Sequence, residues 1–168
     1  MSTTISTCIV CETQGAKVLR VGDSVRFECR RCGSFVLSGT AEQTLETRLS
    51  EKPLRRSLLR RSLMSHTLRR MQQADDKRLR VITDNDLPTF WRDERLPTPQ
   101  KQADNLILWI GDNQETVFQP ASIDRSRIAA WIGLPISARD DFDGWVWLHG
   151  EFRKAIPLRG PNSRGRYP

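Results

Sequence analysis

Two short stretches, Cys8-Ile-Val-Cys11 and Cys29-Arg-Arg-Cys32, decide how the first part of this chain folds. Each stretch holds two thiols on one tight turn, and seventeen residues lie between the two pairs. Four thiolates spaced in this way are typical of a tetrahedral zinc site, whereas a thioredoxin-like redox site needs a single pair in a βαβ context. We therefore predict one structural Zn²⁺ ion bound by Cys8, Cys11, Cys29 and Cys32, with no open position for catalysis.

The residues around the cysteines predict a three-stranded zinc ribbon over residues 1–40. Ala16–Val21 and residues 24–28 form the arms of a hairpin, Gly22-Asp23 forms its turn, and residues 35–37 supply a third strand. Gly33, which follows the second cysteine pair, permits the positive φ that such a turn needs. A unit of this size cannot build a sufficient apolar core, so the metal would fold it. The hairpin also carries basic side chains, so the ribbon either is purely structural or contacts nucleic acid as well.

Charge and hydropathy limit the class of protein. The chain has 168 residues with 27 basic and 20 acidic side chains, a net charge of +7. Residues 48–80 carry a net +8, residues 81–152 a net −6 and residues 153–168 a net +5. No apolar run reaches the roughly 18 residues of a membrane span, and the first residues do not resemble a secretory signal. These features predict a cytoplasmic protein with no membrane contact, and the length leaves room for one medium domain or two small ones but not for a large enzyme fold.

Residues 41–83 form a basic helical segment. A helix is predicted from about Ala41, and a second one begins at Pro53 and runs to about Gln73. Three arginine doublets on this second helix are the candidate phosphate contacts: Arg55, Arg56, Arg60, Arg61, Arg69 and Arg70. The alternative is a solvated helix whose arginines pair with acidic residues of the segment 81–152.

The last part of the chain is predicted to hold a Pro-rich linker, 84–98, and a trihelical, winged-helix-like domain, 99–158. Its first helix begins at Pro99 and ends at Gly111, and its second runs from about Asp124 to Ile132. A third helix follows Ser137 but starts with three aspartates, which would repel a DNA backbone. Contact with a protein, or a role as a plain scaffold, is therefore favoured over base recognition in this domain. Residues 159–168 are predicted to be a disordered basic tail.

Three further stretches carry a resemblance. They are Cys29-Arg-Arg-Cys32-Gly33 leading to Leu37-Ser-Gly-Thr-Ala41, then Ser65-His-Thr-Leu-Arg-Arg-Met71, and Leu96-Pro-Thr-Pro99 followed by residues 102–112. Together they resemble an uncharacterised bacterial and phage module with an N-terminal CxxC…CxxC zinc ribbon. The module often precedes effector domains of defence-associated proteins. The resemblance implies a role in phage–host defence or counter-defence and supplies no catalytic residues.

The chain shows no catalytic constellation. His66 and His149 are its only histidines, no Ser/His/Asp spacing or glycine-rich phosphate loop is present, and His66 is interpreted as a structural residue. The sequence therefore predicts a non-enzymatic, zinc-binding adaptor or regulator that contacts nucleic acid, DNA included, mainly through phosphates. The alternative is a protein-interaction module that docks a separate effector protein through its acidic, Trp-rich trihelical domain.

Overall fold

The computed structural model describes residues 3–50, 53–72, 79–92, 95–113 and 124–136, together with Trp145. The strands are β1 Thr3–Ser6, β2 Ala16–Val21, β3 Ser24–Cys29, β4 Gly33–Ser38 and β5 Val81–Ile82. The helices are α1 Gly39–Leu49, α2 Leu54–Met71, α3 Pro99–Asn113 and α4 Arg125–Ile132, with a 3-10 helix at Leu87–Trp91. The predicted α+β class is confirmed. None of the helices in these ranges combines the length and the apolarity that a membrane span requires.

The sheet has five strands in sequence order, two more than the predicted ribbon. Strands β1 to β4 are antiparallel, and β5 adds in parallel beside β4. In β3 every second residue is buried, namely Val25, Phe27 and Cys29. This alternation places Cys29, the last residue of the strand, on the core face. The rings of Phe27 and Phe35 stack across the β3–β4 pair with centroids 5.1 Å apart. The missed strands are short, and β1 is fully exposed, so neither has a hydrophobic pattern that identifies it.

Helix α1 follows β4 directly and covers the sheet. Ser38 caps it, since the Ser38 Oγ accepts a hydrogen bond of 3.2 Å from the Ala41 amide. Ala41, Leu45 and Leu49 recur every four residues and are completely buried. The helix is therefore amphipathic in the ordinary sense, with an apolar stripe on strands β3 and β4.

Helix α2 packs through a face that is largely polar. Four of its seven buried residues are polar, while Leu54 is 71% exposed; the seven are Ser57, Arg61, Ser62, Leu63, Met64, Ser65 and Leu68. The leucines of this segment do not form one stripe in the sequence because the packing face mixes serine and arginine with apolar residues. This face contacts the loops that carry the cysteines.

The buried apolar residues form two clusters. The larger one joins the four cysteines to Leu45, Met64, Ile82 and Phe90, so it draws on the predicted ribbon, the basic segment and the Pro-rich stretch. Residues 84–98 were predicted to be a linker, yet Leu87 and Phe90 within them are buried. The smaller cluster lies between α3 and α4. Helix α2 contacts α4 and thereby connects the two clusters.

Helices α3 and α4 agree with the predicted positions of the first two helices of the C-terminal domain. The Asp124 Oδ1 caps α4 by accepting from the Arg127 amide at 3.2 Å, and Gly133 ends α4 with a φ of 86°. Helix α3 continues through Gly111, its predicted end, to Asn113. Apart from Trp145, whose indole N–H donates to the Gln102 Oε1 at 3.1 Å, the predicted third helix lies outside the described residues, as does the tail 159–168. The winged-helix arrangement therefore stays a prediction.

Candidate functional site

The four cysteine sulfurs converge at one point. Cys8 and Cys11 lie in the loop after β1, while Cys29 ends β3 and Cys32 immediately precedes β4. All four side chains are buried, and their Sγ atoms lie within 4.8 Å of one another. The Cys8 and Cys32 sulfurs are 4.0 Å apart, and those of Cys11 and Cys29 are 3.5 Å apart. Within the described residues this is the group with the geometry to hold a metal ion.

Local backbone geometry fixes each cysteine pair. In the first turn the Cys8 amide donates to the Thr13 carbonyl at 2.9 Å, and the Glu12 amide donates to the Cys8 carbonyl at 2.8 Å. In the second turn the Cys32 amide donates to the Cys29 Sγ at 3.5 Å. Gly33 closes this turn with a φ of 82°, and a Cβ at Gly33 would collide with the side chain of Gln72. The positive φ expected at Gly33 from the sequence is confirmed.

The protonation of the cluster is strongly perturbed. Burial raises the pKa of the Cys32 thiol well above its ordinary value. The pKa of Cys11 is lowered because the sulfhydryl of Cys29, followed by those of Cys32 and Cys8, donates to its thiolate. The protein groups thus stabilise a thiolate at Cys11 and oppose one at Cys32. A bound cation would supply the charge that allows all four sulfurs to ionise.

Arg61 lies inside the protein and supports the first cysteine turn. It is 7% exposed, and its Nη1 donates to the carbonyls of Ile9 at 2.9 Å and Val10 at 3.2 Å. Its Nη2 also pairs with the Glu12 carboxylate at 3.2 Å. The carbonyls of this turn have no strand partner, so the guanidinium satisfies them.

Arg69 and Gln72 do the same for the second turn. The Arg69 Nε donates to the Arg31 carbonyl at 2.9 Å and its Nη2 to the Arg30 carbonyl at 2.6 Å. The Gln72 amide donates to the carbonyls of Cys32 and Ser34 at 3.0 and 2.8 Å. One face of α2 therefore supplies hydrogen-bond donors to both turns that carry the cysteines.

The other arginine doublet members have different surroundings. The Arg60 guanidinium lies 5.5 Å from the centroid of the Trp91 ring and donates to the Arg48 carbonyl, and Arg70 lies 4.3 Å from the centroid of Trp131. Arg55 and Arg56 are exposed in the first turn of α2. The structure therefore does not bring the six arginines to one common surface.

Several structural residues were missed in the sequence. Arg31 is completely buried, and its Nη2 donates to the Leu134 carbonyl at 2.7 Å. Ser62 accepts from the Ile136 amide at 2.9 Å. His66 donates from Nδ1 to the Ala130 carbonyl at 2.8 Å, which agrees with a structural role. Asp124 also connects distant parts of the chain, since its carboxylate pairs with the Arg30 Nε at 2.9 Å.

The chain was compared with protein-family models, curated proteins and solved structures, and nothing in any of the three matches it.

Proposed function

We propose that the protein is a non-enzymatic, zinc-stabilised adaptor or regulator that contacts nucleic acid mainly through phosphates. Tetrahedral Zn²⁺ with Zn–S bonds of about 2.3 Å requires sulfurs about 3.8 Å apart. The sulfur separations of 3.5 and 4.0 Å lie on either side of this value. Four buried thiolates leave no coordination position for a substrate, which supports a structural metal rather than a catalytic one.

The observation that carries the nucleic-acid contact is the exposure of Arg55 and Arg56. Both lie in the first turn of α2, a turn that contains no acidic residue. Cations at a helix N-terminus are disfavoured by the helix dipole, so a phosphate backbone beside them would stabilise this arrangement. The buried Arg61 and the internally engaged Arg69 are better explained as structural residues. The proposed phosphate surface therefore consists of Arg55 and Arg56 rather than all six arginines of the three doublets.

The test is the salt dependence of duplex binding, measured by fluorescence anisotropy for wild-type protein and for Arg55→Ala/Arg56→Ala. We expect the double variant to weaken binding to unrelated duplex sequences equally and to reduce the log–log salt slope by about two. Arg20→Ala/Arg80→Ala is the matched control. It also removes two exposed guanidiniums, but these lie on β2 and directly before β5 rather than on α2. Wild-type protein that binds no duplex at low salt, or equal losses in both double variants, would overturn the proposal.

A second candidate function is the docking of an effector protein, and α3 provides the observation that favours it. Ile107 and Leu108 are neighbours on this helix and are each 56% exposed, so they present an apolar pair to the solvent. Trp109 and Trp131 are buried and belong to the core, so they would not form the docking face. Co-elution with the product of a neighbouring gene after nuclease treatment, lost in Ile107→Ser/Leu108→Ser, would favour this function. Co-elution that requires nucleic acid would contradict it.

A further inference from the structure

A cavity of about 150 Å³ lies where the end of α2 meets α3 and α4. The described residues that line it are Arg69, Gln72, Trp109, Arg127 and Trp131. This volume is sufficient for several water molecules or for a small anion. The cavity has two aromatic walls and two guanidiniums, and no carboxylate is among these lining residues.

The positive charge at the cavity is incompletely neutralised by the described residues. Arg127 is exposed and makes no ion pair with them, since Asp124 pairs with Arg30 and caps the Arg127 backbone amide. Arg69 donates from Nε and Nη2 to two carbonyls of the second cysteine turn, which do not carry a compensating charge. Burial, followed by the nearby charge of Arg127, lowers the pKa of Arg69. An anion between these two guanidiniums would relieve their repulsion.

Trp131 provides the second observation. Its side chain lines the cavity, and the Arg70 guanidinium covers its ring at 4.3 Å, which adds a third positive charge close by. An oxyanion in the cavity would supply the missing negative charge.

We propose that this cavity binds a phosphate group, carried either by a small nucleotide or by the 5′ end of a nucleic-acid strand. Arg69 and Arg127 would provide charge-assisted hydrogen bonds to the phosphate oxygens, beside the aromatic walls of Trp109 and Trp131. Gln72 forms part of the wall but uses its amide on the backbone around Cys32 and Ser34. The site uses neither Arg55 nor Arg56, so it can fail while the proposed duplex contact holds, and the reverse is also true.

The experiment is isothermal titration calorimetry of the metal-loaded full chain with inorganic phosphate, AMP and adenosine. We expect binding of phosphate and AMP and none of adenosine. Arg127→Gln should weaken AMP binding by about tenfold, because it removes a charge-assisted bond without removing any buried contact. Lys101→Gln removes one exposed charge from α3 and should leave binding unchanged.

The two sources of the phosphate are separated by 5′-phosphorylated and 5′-hydroxyl oligonucleotides of one sequence. A preference for the phosphorylated strand over AMP assigns the site to strand ends, and the opposite order assigns it to nucleotides. The absence of binding to phosphate, AMP and the phosphorylated strand would overturn the proposal. So would AMP binding that is equal in wild-type protein and in a folded Arg127→Gln variant, because the anion would then bind elsewhere.

Discussion

Replacing Arg61 by alanine is the sharpest test of whether the arginines of α2 serve the fold or a ligand. The Arg61 guanidinium is buried and donates to the carbonyls of Ile9 and Val10 in the first cysteine turn. The substitution should therefore damage the ribbon rather than a binding surface. If Arg61 instead faces phosphates in solution, the fold should tolerate its loss.

The structure gives a magnitude for this effect. Hydrogen bonds to a charged donor contribute about 1.5–3 kcal/mol each, and an orphaned buried carbonyl costs about 1–3 kcal/mol. These terms overlap, so we expect Arg61→Ala to lower the free energy of unfolding by about 3 kcal/mol in all. The ion pair with Glu12 adds little because that carboxylate is 58% exposed. For a chain of this size, about 3 kcal/mol corresponds to a decrease in Tm of roughly 6–12 °C.

The assay is thermal unfolding in excess zinc, followed by circular dichroism, with Arg55→Ala as the matched control. Arg55 is an exposed arginine on the same helix, and its removal should change stability by less than about 0.5 kcal/mol. Arg61→Lys should fall between the two, since one ammonium nitrogen would replace both the Nη1 that reaches the two carbonyls and the Nη2 that pairs with Glu12. The reasoning is refuted if Arg61→Ala has the same Tm as Arg55→Ala and has also lost affinity for duplex.

The remaining predictions concern the metal and the half-buried His66. Purified protein should contain one zinc per chain by elemental analysis, and Cys29→Ser should lose the metal together with the sheet, because metal binding and folding are coupled in so small a unit; a reduced, folded sample without metal would contradict this. Burial lowers the pKa of His66 in the folded protein below its value in the unfolded chain. Acid therefore protonates this histidine more readily after unfolding, which should destabilise the folded wild type. His66→Asn can keep the bond to the Ala130 carbonyl, and its Tm in excess zinc should therefore fall less than that of the wild type between about pH 7 and 5.5. Parallel pH profiles of the two proteins would show that His66 does not cause the loss.

The sequence predicts those parts of the fold whose cause is local. The spacing of the cysteines, the positive φ of Gly33, the position of α2 after Pro53 and the Asp124–Gly133 limits of α4 all follow from residues close to one another in the chain. Strand β5 does not, because Val81 and Ile82 pair with β4 across more than forty residues and form too short a run to be recognised. The burial of Leu87 and Phe90 was not predicted, because the prolines of this stretch indicate a linker.

The candidate site was predictable at the cysteines and not at the arginines, and the reason is chemical. Four thiols in two pairs have few other uses, so their type and spacing identify the site. Arginine has many uses, since one guanidinium can bind phosphate, a carboxylate, a carbonyl or an aromatic face. Nothing in an Arg-Arg doublet indicates which member turns inward. In α2 the inward members are Arg61 and Arg69, eight residues apart on the face that meets the cysteine turns.

The positive charge of α2 therefore has a physical explanation that does not require a polyanion. Turns that direct their thiols to a metal also direct backbone carbonyls away from any regular β-ladder, and buried carbonyls need donors. Arginine supplies five donors on one planar group and keeps its charge when buried, so it satisfies several carbonyls from one helical position. Arg31 extends the same solution to the Leu134 carbonyl and connects the second turn to the residues that follow α4. The net charge of such a fold therefore includes arginines that are buried against carbonyls and cannot reach a phosphate. The arginines that remain exposed are the ones to test for binding.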